Sequence, residues 1–162
     1  MLIEAQVWEV LLQVPDPELP AVSICDLGIV RDVRCASEAV TVVITPTYSG
    51  CPATEMIESA IREALERAGA CDVTVEIRLS PTWTSDWITT AGHAKLRAHG
   101  IAPPQSTASM QAHPIRFFTP SPSCPRCAAR AATRLSEFGS TACKALYRCE
   151  ACREPFEYFK PI

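Results

Sequence analysis

Residues 39–79 read AVTVVITPTYSGCPATEMIESAIREALERAGACDVTVEIRL, and the reading of this stretch decides the fold. It opens with β-type residues over 39–45. TPTYSGCP then leads straight into an amphipathic pattern over 53–68. Ala53, Met56, Ile57, Ala60, Ile61, Ala64, Leu65 and Ala68 make one apolar face of a helix, with Glu58/Arg62 and Glu63/Arg67 one turn apart on the other. Gly69 supplies the stop. Val73, Val75, Ile77 and Leu79 then alternate with Thr74, Glu76 and Arg78, which predicts a half-buried strand.

Working outward, residues 27–35 form a second β-type run, separated from 39–45 by the polar turn Ala36-Ser37-Glu38, so a hairpin is expected. Residues 2–14 carry a helical stripe of Ile3, Val7, Val10, Leu11 and Val14 that Pro15 ends, followed by the rigid polar loop DPELP. A last helix is expected over about residues 85–99, closed by Gly100. The order α-β-β-α-β-α predicts an α+β chain that begins with a small α/β sandwich, its helices on one face of a mixed sheet.

Residues 101–123 contain five prolines among Ser, Thr and Gln and read as a linker, although IRFF within it is apolar enough to pack. The expected organisation is a domain over 1–100, the linker, and a second module over 124–162. Charge divides near the same place. Residues 1–112 hold 7 Lys/Arg against 14 Asp/Glu, and residues 113–162 hold 8 against 4, an acidic body with a basic appendage. A chain of 162 residues with 48% hydrophobic content can bury a core. No run approaches the roughly 20 apolar residues of a membrane span, and Glu4 and Glu9 stand where a secretory signal would be basic or uncharged. The expected location is cytoplasmic, with no membrane partner.

Nine cysteines in a reducing compartment point to metal or thiol chemistry rather than disulfides. Five of them crowd into 124–152. CPRC (Cys124, Cys127) and CEAC (Cys149, Cys152) are two C-x-x-C knuckles with 21 residues between them, and four such thiolates make a tetrahedral zinc shell. Zinc would supply folding free energy that so few aliphatic residues cannot. Cys143 is a fifth thiol; an extended chain from 143 to 149 would span about 20 Å and keep it out of the shell. Replacement of one ligand by Cys143, or an iron-sulfur cluster in place of zinc, are the alternatives. Glu154, Glu157 and the acidic body argue against nucleic acid and for a zinc-stapled protein-docking surface.

Cys51 raises a different chemistry. With Pro52 at the first helical position, Cys51 is expected at the N-cap, where amides and the helix dipole favour a thiolate able to act on a soft metal. The plainer reading is a small residue capping a helix. Asp16, Glu18 and Asp26 lie in loops that could face it, though such carboxylates taken alone are ordinarily solvated. Cys25, Cys35 and Cys71 read as small buried hydrophobes. No base accompanies Cys51, since His93, His99 and His113 form no motif with it, so a thiol enzyme is the weakest reading.

VPDPELPAVSICDLGIVRDV, TPTYSGCPATEMI, LSPTWTSDWITTAGHAKLRAHGIAPP and CPRC followed by FGSTACKALYRCEACREPFEYFKPI together resemble the PaaD (PaaJ) family, the small D component of the bacterial phenylacetyl-CoA epoxidase system. The N-terminal part also resembles SufT-like iron-sulfur assembly factors, through DPE (Asp16 to Glu18), DLG (Asp26 to Gly28) and the TPT..GCP turn. The resemblance implies an accessory factor that assists iron or iron-sulfur insertion in the ring-epoxidising oxygenase of aerobic phenylacetate degradation. A non-catalytic structural or regulatory subunit is the alternative. It implies Cys51 as the functional thiol, with Asp16, Glu18, Asp26, Thr45 and Thr47 as candidate neighbours, and reductase or oxygenase subunits as partners. No Glu-x-x-His pair, Rossmann glycine pattern or ferredoxin cysteine run is present, so the chain is not expected to be catalytic alone. One thiol is too few to hold a cluster, so a homodimer, glutathione or another protein would have to complete the site.

Overall fold

In a computed structural model of the chain, residues 2–36, 39–48, 50, 52–105 and 121–162 are described. They form two compact units, Met1–Gly92 and His93–Ile162. Among the described residues no helix is long and apolar enough to cross a membrane.

The first unit holds α1 (Glu4–Leu11), β1 (Val30–Ala36), β2 (Ala39–Ile44), α2 (Thr54–Arg67) and β3 (Asp72–Ile77). β1 and β2 pair antiparallel as the expected hairpin, and β3 adds parallel to β2, giving the order β1-β2-β3. α1 packs on α2 and β1, and α2 on β3. Val7, Leu11, Val42, Ile44, Ile57, Ile61 and Leu65 fill the space between helices and sheet, each at most 2% exposed.

Both helix ends have local causes. Beyond Leu11, the Gln13 and Val14 N–H groups donate to Val10 and Leu11 carbonyls, a tightened turn that ends α1 short of the expected residue 14. At α2, Gly69 N–H donates to Glu66 C=O and Ala70 N–H to Leu65 C=O. Gly69, at φ +98, thus closes the helix with both bonds of a Schellman motif.

Two elements differ from expectation. Residues 27–29 are a turn, because Gly28 takes φ +67 and its N–H donates back to Cys25 C=O; extended pairing begins only at Val30. The helix expected over 85–99 is broken into a short 3-10 turn at Ser85–Trp87 and α3 (Thr90–Ala98). Ile88 is extended at ψ 127, and the Thr89 hydroxyl accepts from Gly92 N–H at 2.9 Å, as a helix N-cap does.

The second unit carries β4 (Ile101–Ala102), β5 (Ala132–Ser136), β6 (Lys144–Cys149) and β7 (Pro155–Phe159) in the order β4-β7-β6-β5. β5, β6 and β7 are antiparallel, whereas β4 joins β7 in parallel, so Ile101 and Ala102 form a strand inside the stretch read as linker. Residues 106–120, with IRFF and His113, lie outside the described residues. The core is small: Ala102, Cys124, Cys149, Phe156 and Tyr158, with Tyr147 stacked on Phe156 and edge-on to Tyr158. Lys144 is buried and paired with Glu157 at 2.7 Å, and its Nζ also donates to Ser140 Oγ at 2.6 Å. Burial alone would raise the Glu157 carboxyl, but Lys144 and Ser140 hold it below the usual range.

Candidate functional site

The two knuckles of the second unit are built alike. Ala128 N–H donates to Cys124 C=O at 2.9 Å while Cys124 N–H donates to Ala129 C=O at 2.8 Å. Arg153 N–H donates to Cys149 C=O at 3.0 Å while Cys149 N–H donates to Glu154 C=O at 3.0 Å. Each knuckle ends in a left-handed non-glycine residue, Ala128 at φ 61 and Arg153 at φ 65. Two such residues at matching positions signal backbone held in a costly conformation by what the cysteines bind.

The knuckles bring Cys124, Cys127, Cys149 and Cys152 together with all four Sγ atoms within 4.8 Å of one another. Cys124 Sγ lies 3.8 Å from Cys152 Sγ, and Cys127 Sγ lies 3.5 Å from Cys149 Sγ. A tetrahedron with metal–sulfur bonds of about 2.3 Å has sulfur–sulfur edges of about 3.8 Å. The four thiols therefore fit a four-coordinate metal site.

Their protonation is uneven without a cation. The Cys152 backbone N–H, against the cost of burial, lowers the Cys149 thiol to about 7. Cys152 goes the other way: the Glu154 N–H lowers it, but burial and the other three thiols outweigh that and push it up to about 12. A divalent cation removes this conflict by stabilising every thiolate at once. Cys143 is buried on its own, 3.0 Å from Thr141 Oγ1, and is not a member of the tetrad.

In the first unit the loop motifs are brought together around two buried carboxylates. Asp16 is 5% exposed and its Oδ1 accepts from Glu18 and Leu19 N–H at 3.0 and 2.8 Å. Asp26 is 3% exposed; its Oδ2 accepts from Ser23 N–H at 2.9 Å and Ser23 Oγ accepts from Asp26 N–H at 3.0 Å. Neither is the solvated loop carboxylate expected of such residues. Both satisfy amides that the tight DPELP and DLG turns direct inward.

The DLG turn also anchors the segment after β3. Trp83 Nε1 donates to Leu27 C=O at 2.9 Å, and Thr89 N–H donates to Asp26 C=O at 2.9 Å. The Arg31 guanidinium lies 3.5 Å over the Trp87 ring. Thr45, 2% exposed, donates its N–H to Ile29 C=O at 2.8 Å, which fastens the start of the TPT turn to the end of the DLG turn. Glu18 and Thr47 are half-buried. The signal for the roles of Ser23, Trp83 and Thr89 is the reciprocal S-x-x-D spacing and the pair of tryptophans, which periodicity does not read.

Cys51 lies outside the described residues, as does Ser49 beside it. The helix it was expected to cap begins later: the first α2 bond runs from Ile57 N–H to Ala53 C=O at 2.9 Å, with Ala53 at the N-cap. Pro52 is thus in the turn before the helix and not at its first position. Cys25 is buried, and desolvation followed by the Asp26 charge pushes its thiol up to about 12. Cys35 is half-buried, whereas Cys71 is exposed and not the buried hydrophobe expected.

Comparison with known proteins divides the chain in the same way. Residues 4–77 match the iron-sulfur cluster assembly protein family, and residues 115–160 match the PaaD zinc beta ribbon domain. The chain is 52% identical to the D component of 1,2-phenylacetyl-CoA epoxidase of Escherichia coli K12 over 97% of its own length and 92% of that protein. It is 33% identical to an Fe-S protein maturation auxiliary factor of Porphyromonas gingivalis over 51% of this chain and 80% of that one. Among solved structures, a DUF59 domain from Bacillus anthracis superposes with a TM-score of 0.54 at 27% identity, covering 57% of this chain and 90% of its own. A conserved hypothetical protein from Thermotoga maritima gives 0.51 at 30% identity, covering 59% and 94%. With an assembly-type domain followed by a four-cysteine ribbon, and with more than half its residues shared end to end, the chain belongs to the family of the phenylacetyl-CoA epoxidase D component.

Proposed function

We propose that this protein is a maturation factor that assists insertion of iron or an iron-sulfur cluster into the ring-epoxidising oxygenase of phenylacetyl-CoA metabolism. The observation that carries the reading is the pairing of modules: an iron-sulfur assembly domain over residues 4–77 within a chain whose full-length relative is named as a component of an epoxidase. In this reading the cargo is iron or a cluster, and Cys51 is the thiol that receives it. The hydrogen bonds of Asp16 to the Glu18 and Leu19 amides, and of Asp26 to Ser23 and Thr89, fix loops, so these residues, with Thr45, shape the turn region. Zinc in the cysteine tetrad staples the ribbon, which docks the client protein.

The second reading is a non-catalytic structural or regulatory subunit. The relative's name as part of an epoxidase favours it. Replacing Cys51 by Ser in cells that make the whole oxygenase system separates the two. Delivery predicts normal levels of every polypeptide with iron-poor reductase or oxygenase; fully loaded partners and unimpaired epoxidation reject it. Stoichiometric co-purification with a fully loaded oxygenase favours the structural reading.

A further inference from the structure

The outer edge of β3 is used by nothing described so far. β3 ends the sheet order β1-β2-β3, and among the described residues no strand pairs with its far side. Arg78 N–H donates to Ile44 C=O at 2.8 Å, continuing the parallel ladder with β2. Because backbone groups alternate along a strand, Thr74, Glu76 and Arg78 direct theirs toward β2, and Val73, Val75, Ile77 and Leu79 direct theirs outward. The same odd-numbered residues continue the core face of Val40, Val42 and Ile44, with which Val73, Val75 and Ile77 are in register. Burial fades along that face: Ile44 is fully buried, whereas Ile77 is 48% and Leu79 55% exposed.

An open edge with apolar side chains is a template for another strand, and charges along it ordinarily keep foreign strands away. Glu76 and Arg78 are those charges here. Glu76 is held by Arg34 at 2.6 Å with its side chain 46% exposed, and no ion pair engages Arg78 among the described residues. One partner turns both from guards into bonds. An antiparallel copy of β3, related by a twofold axis at Ile77, sets Ile77 against Ile77, Val75 against Leu79, and Glu76 against Arg78 on both sides. The outward amides of residues 75, 77 and 79 then fall at the hydrogen-bonded pairs. Glu76 and Arg78 fall at the non-hydrogen-bonded pairs, where Cα atoms stand about 4.5 Å apart and side chains meet most closely.

We propose that β3 pairs antiparallel with β3 of a second copy of this chain, in the register centred on Ile77, so that the two sheets become one. This does not rest on the delivery reading. The other register that satisfies the outward amides, centred on Val75, opposes Asp72 with Arg78 and leaves Leu79 against Cys71, so it covers the most exposed apolar residue less well.

Sedimentation equilibrium on the full chain tests the proposal. The wild type should show twice the 17.7 kDa chain mass. Glu76→Arg and Arg78→Glu, each of which opposes like charges, should weaken association at least tenfold, and the double variant should restore it. A monomeric wild type overturns the proposal, as does a dimer that survives both single reversals or a double variant that stays monomeric. Restoration only by Asp72→Arg with Arg78→Glu overturns the register. Amide exchange gives a readout free of variants: residues 75, 77 and 79 should be protected in proportion to protein concentration, and concentration-independent exchange there also overturns the pairing.

Discussion

Replacing Gly28 by Ala tests whether the DLG motif is a packing device. Gly28 sits at φ +67, and a Cβ there would stand 2.5 Å from the Trp87 carbonyl oxygen and 2.7 Å from Trp87 Cβ. Left-handed backbone costs a residue with a Cβ about 1–2 kcal/mol. Forcing apart packed groups of which one is backbone adds about 1–3 kcal/mol. The expected loss is therefore about 2–5 kcal/mol, most of it from displacing the Trp83–Trp87 segment off the turn. Gly69→Ala is the control, because Gly69 has φ +98 but nothing within 4 Å of the added atom. It carries backbone strain alone. Urea unfolding followed by tryptophan fluorescence is the assay, and it reports on the first unit because Trp8, Trp83 and Trp87 are the only tryptophans and all lie there. Should Gly28→Ala cost no more than Gly69→Ala, the close approach of the turn to Trp87 contributes nothing and the motif is not a packing device.

The purified chain should carry about one zinc and lose it on Cys149→Ser. Chelation should expose four further thiols to rapid modification, and iron in the tetrad would refute the assignment to zinc. Cys25 sets an alkaline limit on the first unit: its folded value of about 12 lies above the ordinary thiol value, so its contribution is complete below about pH 9 and is lost as pH rises toward 12. Cys25→Ala should flatten the fall in urea stability above pH 9 by up to about 1.4 kcal/mol per pH unit, and equal slopes in the two proteins would refute the shift.

Strong periodicity is legible in the sequence. The alternation of β2 and β3 and the apolar face of α2 predict their pairing and burial, and Gly69 predicts the stop that the Schellman bonds make. The spacing of the two knuckles likewise locates the cysteine tetrad. What periodicity misses is set by single backbone angles and distant amides. Residues 27–29 have strand-type composition, yet the left-handed turn at Gly28 keeps them out of β1. Thr89 looks helical, yet its amide is taken by Asp26 C=O, which delays α3. The burial of Asp16 and Asp26 follows from which amides their turns leave pointing inward, and residue type alone suggests the reverse.

The short strand β4 alters how the ribbon should be handled. Ile101 and Ala102 pair with Glu157 and Tyr158, so the chain enters the ribbon sheet before residues 106–120 and rejoins it afterwards. A protease that cut between 106 and 120 would leave a nicked ribbon still clasped along β7 and would not free it. A fragment begun at Cys124 would instead lack an outer strand and bare the flank of Phe159, a side chain now shielded from water. Excision should therefore start upstream of Ile101, and a loss of solubility in shorter pieces would reflect that missing strand, with the cysteine site itself intact.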